Sequence, residues 1–380
     1  MLKGIRFDRN EFSGAFGDIG TDLPLIVGMI LAAKLDSASV LIVYGLLQIF
    51  SALVYRIPMP VQPLKAVATL VIAGKLASGI IYGAGLAIGI VMVLLTVSGL
   101  LTWLARVIPH AVVRGIQFGL GVQLALLSLT NYIRADGVPG YILATAGFIV
   151  TILLIGNRKY PPALLLIGIG IVYAFVFKLD FAVFRSSIGL HAPTFYVPTT
   201  NDVVTGVLVL ALPQIPPSIG NSILATQKIA ADYFPERKIT IRNIGLTYSF
   251  MNLAAPFLSG VPVCHGSGGM AGHYLFGART GGSVIIYGSM YIVIGLLLSG
   301  GFASIIQVFP LPILGVILLF EGIALMRLMK DTVAEPRNLM VAFLVGLMAA
   351  GLPYGYLVGI IVGTALILLP RRGAASFTGE

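Results

Sequence analysis

Apolar runs long enough to reach across a lipid bilayer follow one another along almost the whole of this 380-residue chain, and nothing else constrains its fold as strongly. A crossing needs ~20 mainly apolar residues. Backbone in lipid must satisfy its own hydrogen bonds, so such runs have to be helices. Hydropathy gives about fourteen membrane elements. They lie near 13–33, 38–55, 61–74, 80–104, 111–130, 140–156, 161–177, 203–229, 241–260, 263–276, 282–301, 310–328, 338–351 and 354–370. Charged residues are 10% of the chain, against roughly 25% in a soluble domain. The expected fold is therefore an all-α polytopic membrane protein. Its 46 glycines fit that class, because small residues let membrane helices approach closely. The lone Cys264 excludes a disulfide framework within the chain, and the charged start reads as no cleavable signal.

A net charge of +10 could suggest nucleic acid, but its distribution points to topology. With the N-terminus inside, Lys3, Arg6, Arg9, Arg56, Arg106, Arg114, Arg158, Lys159, Lys228, Arg237, Lys238, Arg242, Arg279, Arg327, Lys330, Arg337, Arg371 and Arg372 fall in cytoplasmic loops or tails. Lys34, Lys75, Arg134, Lys178 and Arg185 fall outside, and Lys65 lies within the membrane. Eighteen against five is a strong positive-inside asymmetry. Both termini should be cytoplasmic, with no nucleic-acid partner.

The elements divide seven and seven around the polar connection 178–202, giving a first repeat 1–177, a second 203–372 and a short tail 373–380 without a soluble regulatory domain. An odd number per half makes the second repeat enter the membrane with opposite polarity, which is an inverted repeat. Ile108-Pro109 before the fifth element answers Phe309-Pro310 before the twelfth. The third and tenth elements are too short and broken to be ordinary spans. One carries Pro58, Pro60 and Pro63, the other Pro262, Gly266, Gly268, Gly269 and Gly272, and each opens on a Pro-Val pair, Pro60-Val61 and Pro262-Val263. Paired interruptions at corresponding points of two halves mark the midplane site of a transporter. Each should be a short extended lead-in followed by a half-helix, the two half-helix N-termini meeting near the midplane.

Two opposed helix N-termini favour an anion through unpaired N–H groups and positive dipole ends. The third element adds Gln62 and Lys65, the tenth His265 and Ser267. Lys65 is either a site residue, as intramembrane ionisable groups are by default, or a snorkelling or Asp-paired lysine. In the first element Asp18 and Thr21 share a helix face. Thr21 suits the substrate, while Asp18 is a proton carrier, a partner of Lys65 or a helix cap. Pro24 should end that run. In the eighth element Gln214, Ser218 and Asn221 share one face, either as neutral oxyanion ligands or as packing glue between helices. Glu321 in the twelfth is a second proton-site candidate or a partner of Arg327. Cys264-His265 alone makes a poor metal site, and no nucleotide loop, hydrolytic triad or metalloprotease motif occurs. No metal, cofactor or enzymatic activity is expected.

Several of these segments resemble the molybdate transporter family of the sulfate-permease superfamily. They are Gly17-Asp18-Ile19-Gly20-Thr21-Asp22-Leu23-Pro24, Pro58-Met59-Pro60-Val61-Gln62-Pro63-Leu64-Lys65, Leu212-Pro213-Gln214-Ile215-Pro216, Pro262-Val263-Cys264-His265-Gly266-Ser267-Gly268-Gly269 and Phe276-Gly277-Ala278-Arg279. The resemblance implies fourteen segments, with a core (1–4 and 8–11) moving against a gate (5–7 and 12–14). It implies uptake of molybdate, with tungstate or sulfate as further cargo, by secondary active transport in a bacterial inner membrane, and a homodimer. Sulfate or bicarbonate transport on the same scaffold is the nearest alternative; a channel or a non-transporting scaffold is the alternative of another class.

Overall fold

The computed structural model describes residues 4–107, 109–155, 162–178, 182, 185, 188–353 and 355–369. The chain is helical almost throughout, beginning with α1 (Arg9–Gly14), α2 (Ile19–Ala33) and α3 (Ser37–Tyr55). A three-residue strand β1 (Val61–Pro63) leads into the half-helix α4 (Lys65–Gly74), followed by α5 (Ser78–Val97), α6 (Leu100–Val107), α7 (His110–Leu127), α8 (Gly137–Leu154) and α9 (Pro162–Phe177). After the long connection come α10 (Thr200–Gly206), α11 (Leu212–Pro217) and α12 (Thr226–Tyr233), joined by π-helical turns, then α13 (Ile241–Ala254). Strand β2 (Val263–His265) leads into the half-helix α14 (Ser267–Leu275), followed by α15 (Gly282–Val308), α16 (Leu311–Met326), α17 (Pro336–Gly351) and α18 (Gly355–Leu368).

Among the described residues six helices are long and apolar enough to cross a bilayer, or seven if the bent pair Thr200–Ile215 and Ser218–Tyr233 is one span. Three shorter apolar helices, Thr21–Ala33, Pro336–Gly351 and Leu357–Leu368, accompany them. Length and composition thus support a polytopic protein without reproducing the count of fourteen. The bent pair turns by 49°. Pro213 and Pro217 lack backbone donors there, and π turns take up the slack on both sides of α11. Leu94, Ile142, Leu153, Val172 and Leu347 stand exposed on the outer faces, as lipid-facing side chains must.

Three expectations change. The first element breaks between α1 and α2, and α2 then runs through position 24 to Ala33, so Pro24 does not end it. A proline near a helix start forfeits a single backbone bond, which membrane helices tolerate. The fourth element is two helices, α5 and α6, parted at Gly99, whose φ of +77° suits glycine. Arg114 lies in the second turn of α7 rather than in a loop. Its guanidinium grips Asp331 below α16, with Nε 2.8 Å from Oδ2 and 3.0 Å from Oδ1. Pro109 and Pro310 do occupy matching places, each the extended residue before α7 and α16.

Packing sorts the helices into two groups, each drawing members from both halves of the sequence. In one, α3 lies along α15, and α5 against α13 and α10; in the other, α7 lies against α16 and α17, and α17 against α18. Glycine sets the closest approach. A Cβ at Gly45 would stand 2.4 Å from the Gly288 carbonyl, and one at Gly288 would stand 2.6 Å from the Gly45 carbonyl. Because the obstructing atoms are backbone, Gly288→Val should lower the unfolding midpoint in detergent by the equivalent of about 3 kcal/mol or more. Gly168→Ala, with no atom within 4 Å of the added carbon, should leave it unchanged; equal midpoints for both variants would contradict this packing.

Candidate functional site

β1 and β2 pair antiparallel, with Val61 opposite His265, Gln62 opposite Cys264 and Pro63 opposite Val263. The Leu64 amide extends the ribbon to the Pro262 carbonyl at 3.1 Å. Both strands are buried throughout. Because they run past each other, each half-helix starts beside the beginning of the opposite strand. The two sequence breaks therefore meet, each an extended lead-in to a half-helix.

A three-residue ribbon deep in a membrane protein has outer edges with no water to satisfy them. Two amide side chains close them. Gln48 on α3 accepts from the Val61 N–H at 2.8 Å and donates to its carbonyl at 2.6 Å. Asn252 on α13 accepts from the Val263 N–H at 2.9 Å and donates to its carbonyl at 2.7 Å. Val61 and Val263 are the valines of the two Pro-Val pairs, so this support repeats in both halves. One turn earlier on each helix stands a buried tyrosine, Tyr44 and Tyr248. Tyr44 bonds Asp22 and reaches the Val61 carbonyl at 2.6 Å; Tyr248 meets the Ser218 hydroxyl at 2.6 Å.

Neither half-helix has a side-chain cap from its own N-cap residue, Leu64 or Gly266. For α4 the cap comes from α11: Gln214 Oε1 accepts from the Val67 N–H at 3.2 Å, while its Nε2 reaches the Ser218 hydroxyl at 3.2 Å. At α14 the first element takes the corresponding place. Asp18 Oδ2 lies 2.0 Å from where a Cβ on Gly269 would be, and the Gln62 amide 2.0 Å from one on Gly266. Gln62 Nε2 donates to Asp18 Oδ1 at 2.6 Å. Gly272, a further turn along, faces the Gly17 carbonyl. Gly266, Gly269 and Gly272 thus form a bare stripe onto which the break between α1 and α2 is laid. Asp18 stands at the N-cap of α2 but makes no capping bond there; its carboxyl is turned to Gln62 and α14.

The other expected residues separate clearly. Lys65 is the first residue of α4 and is buried. Ser267, first in α14, donates to Asn221 Oδ1 at 3.1 Å. Gln62, Gln214, Ser218, Asn221, Ser267 and Asp18 are all buried around the two half-helix starts. His265 does not join them. Side chains alternate along a strand and share a face with the residue opposite; His265 pairs with Val61, on the face away from Gln62 and Cys264. Its ring packs edge-on against Tyr55 and meets the Thr247 hydroxyl at 2.8 Å, on the side of the ribbon away from Gln62. Glu321 belongs to α16, but its side chain lies outside the described residues. Among the described residues no cluster of three His, Cys, Asp or Glu could hold a metal ion.

A cleft of about 630 Å³ is lined by residues of α2 and α14 and of α8, α9 and α16. Gly17, Thr21, Gly268 and Gly272 line one wall; Thr151, Leu166, Ile317 and Phe320 line the other, and Tyr233, Phe276 and Arg327 stand along it as well. The cleft thus touches Gly268, the second residue of α14, one residue before the Gly269 position that the Asp18 carboxyl faces. Among its lining residues Thr21 is the one polar residue expected from the sequence.

A family model described as "Molybdate transporter of MFS superfamily" matches residues 10–124 and 206–325, spanning both breaks. The chain belongs to the molybdate transporter family. Molybdate transporter 2 of Arabidopsis thaliana is 32% identical over 371 residues, covering 85% of this chain and 79% of that protein. Molybdate transporter 1 of Chlamydomonas reinhardtii is 26% identical, covering 94% and 91%. Among solved structures, the transmembrane domain of the cyanobacterium bicarbonate transporter BicA superposes with a TM-score of 0.64 at 16% identity, covering 96% of this chain and 98% of that one. The murine Slc26a9 anion transporter in its inward-facing state gives 0.72 at 11% identity, covering 94% and 67%. These likenesses fix the fold, and membership of the family makes the chain a membrane transporter rather than an enzyme.

Sequence reading missed Gln48, Asn252 and the tyrosines beside them, although Tyr-x-x-x-Gln at 44–48 and Tyr-x-x-x-Asn at 248–252 repeat in otherwise apolar spans. Asn252→Leu should strand the Val263 N–H and carbonyl, each at about 1–3 kcal/mol, and lower both unfolding midpoint and anion affinity. Gln48→Leu should do the same through Val61. Scanning calorimetry with ligand titration reads both; unchanged stability in both variants would show that the ribbon does not need these brackets.

Proposed function

We propose that this member of the molybdate transporter family imports molybdate by secondary active transport, binding it where the cleft meets the start of α14. The observation that carries this is the contact of the cleft with Thr21 and Gly268 at a half-helix whose N-cap, Gly266, has no side chain. Backbone N–H groups and the dipole at such a start favour an anion without a fully compensating cation. Thr21 lines the cleft itself, and Ser267, Asn221, Gln214 and Ser218, buried behind the half-helix starts, carry neutral hydroxyls and amides that can turn donors toward an oxyanion entering there. Gln62 and Lys65 stand close by, Gln62 holding Asp18 in place.

The relatives' names supply the cargo: the similar plant and algal proteins are molybdate transporters. Tungstate shares the tetrahedral dianionic form and should share the site, with sulfate a weaker third. The two helix groups supply the moving parts. In this reading, on a sulfate-permease-type scaffold, the group of α2–α5 and α10–α15 is the core, the group of α7–α9 and α16–α18 is the gate, and rocking of one against the other opens the cleft alternately to each side. In this reading both termini face the cytoplasm, the side that the basic loops favour.

Charge gives a reason for coupling. Each negative charge moved inward against the membrane potential costs about 2.3 kcal/mol per 100 mV, and a dianion meets about twice that. A proton carried with the anion would offset part of this cost, and Asp18 and Glu321 are its sequence-derived candidates.

Calorimetric titration of purified protein with molybdate, tungstate and sulfate tests the site. Ser267→Ala should weaken molybdate about tenfold or more, the loss of one hydrogen bond to a charged ligand, and Gln62→Ala should weaken it by releasing Asp18. Unchanged affinity in both variants would move the site away from the paired breaks. Failure of micromolar molybdate to displace labelled sulfate would make molybdate the wrong cargo.

A further inference from the structure

Asp22 stands one helical turn beyond Asp18, fully buried and facing three tyrosines. Tyr44 on α3 and Tyr287 on α15 both bond its Oδ2, the latter at 3.1 Å, and Tyr287 also meets the Tyr291 hydroxyl at 3.0 Å. The Tyr44 hydroxyl has a second oxygen within reach, the Val61 carbonyl at 2.6 Å. A phenol has one proton to give. If Asp22 were ionised, Tyr44 would have two acceptors and one hydrogen, and either contact would be left as two lone pairs face to face. A proton on Asp22 Oδ2 resolves the arrangement: the acid donates to Tyr44, and Tyr44 donates to Val61. The other oxygen, Oδ1, is buried without a hydrogen-bond partner, a position that suits the carbonyl of a neutral acid better than half of a carboxylate.

The other half of the molecule shows that the fold does not need an acid here. Gln214 stands at the third residue of α4 as Asp18 stands at the third residue of α14. Four residues on, Ser218 meets Tyr248 as Asp22 meets Tyr44. The twin position is thus filled by a neutral hydroxyl, whereas this half keeps a titratable group. We propose that Asp22 is the residue that binds and releases the coupling proton, an inference that rests on the transport reading above.

Proton loss forces a choice on Tyr44. Its hydroxyl must turn to the carboxylate and release the Val61 carbonyl, leaving β1 held on that side by Gln48 alone. Gln62, next along the strand, pairs with Asp18 at the start of α14, so the state of Asp22 reaches the proposed anion site through Tyr44 and β1. The groups facing Asp22 are Tyr44 on α3, Tyr287 and Tyr291 on α15, and Asp18 and Lys65, which act on it electrostatically. Beyond them His273 on α14 stacks edge-on against Tyr287. Glu321 lies on α16, which packs against α2. During import the proton enters Asp22 from the outer solution with the anion and leaves it to the inner solution, with no bond to the anion formed.

The test uses full-length protein in liposomes, with labelled molybdate and an internal pH dye. Wild type should take up molybdate several-fold faster under an outside-acid gradient and should acidify the lumen as it does so. Asp22→Asn, a permanently neutral donor, should retain molybdate–molybdate exchange within about twofold but lose the response to the gradient and the acidification. A gradient response in Asp22→Asn equal to that of wild type would overturn the assignment, as would a wild type driven by sodium and indifferent to pH. If Asp22→Asn fails to insert, Tyr44→Phe carries the test: it should blunt the response, and an unaltered response would count against the proposal. Wild type that exchanges sulfate but not molybdate would refute the cargo alone, and the same gradient comparison on sulfate would still decide Asp22.

Discussion

The structure depends on six residues of buried backbone paired edge to edge inside a membrane protein. Two helix breaks in the middle of a membrane protein each leave polar groups that lipid cannot satisfy. Pairing β1 with β2 settles their inner edges, and Gln48 and Asn252 settle the outer ones at Val61 and Val263. Once the ribbon is closed, α4 and α14 have fixed starting points and directions. Everything proposed for anion binding follows from where those starts lie.

Close packing then decides what may approach them. Glycines 266, 269 and 272 strip one side of α14, so that the break between α1 and α2 lies against it and brings Asp18 and Gln62 to its first turn. The same half-helix offers Gly268 to the cleft. One short element is thus held by Gly17, Asp18 and Gln62 on one side and lines the cleft on the other. A site placed on such a boundary changes its exposure when the groups move, which is the requirement for alternating access.

Much of this was legible in the sequence, for a physical reason. Pro60-Val61 and Pro262-Val263 could not continue a membrane helix, so their extended lead-ins and following half-helices were readable without coordinates. The polar residues clustered at the breaks, from Asp18 and Thr21 to Ser267, were readable because buried polarity in lipid needs a cause. What escaped was anything set by a partner far along the chain. The direction of His265 is set by strand register, which turns its ring toward Tyr55. Gln48 and Asn252 looked like isolated polar residues in apolar spans, because their function exists only once the strands they bracket have met. Asp22 was overshadowed by Asp18, although Asp22 faces the Tyr44 hydroxyl, which has one proton and two acceptors within reach. Pro24 misled because its effect depends on where the helix begins.

The central claim is that the start of α14 is the anion site, and tungstate, dense enough to be located directly, tests it. A structure of the protein with bound tungstate should show tungsten anomalous density in the cleft, within hydrogen-bond reach of the Gly268 amide and the Thr21 hydroxyl. Density confined to the surface arginines, with none at α14, would contradict the account.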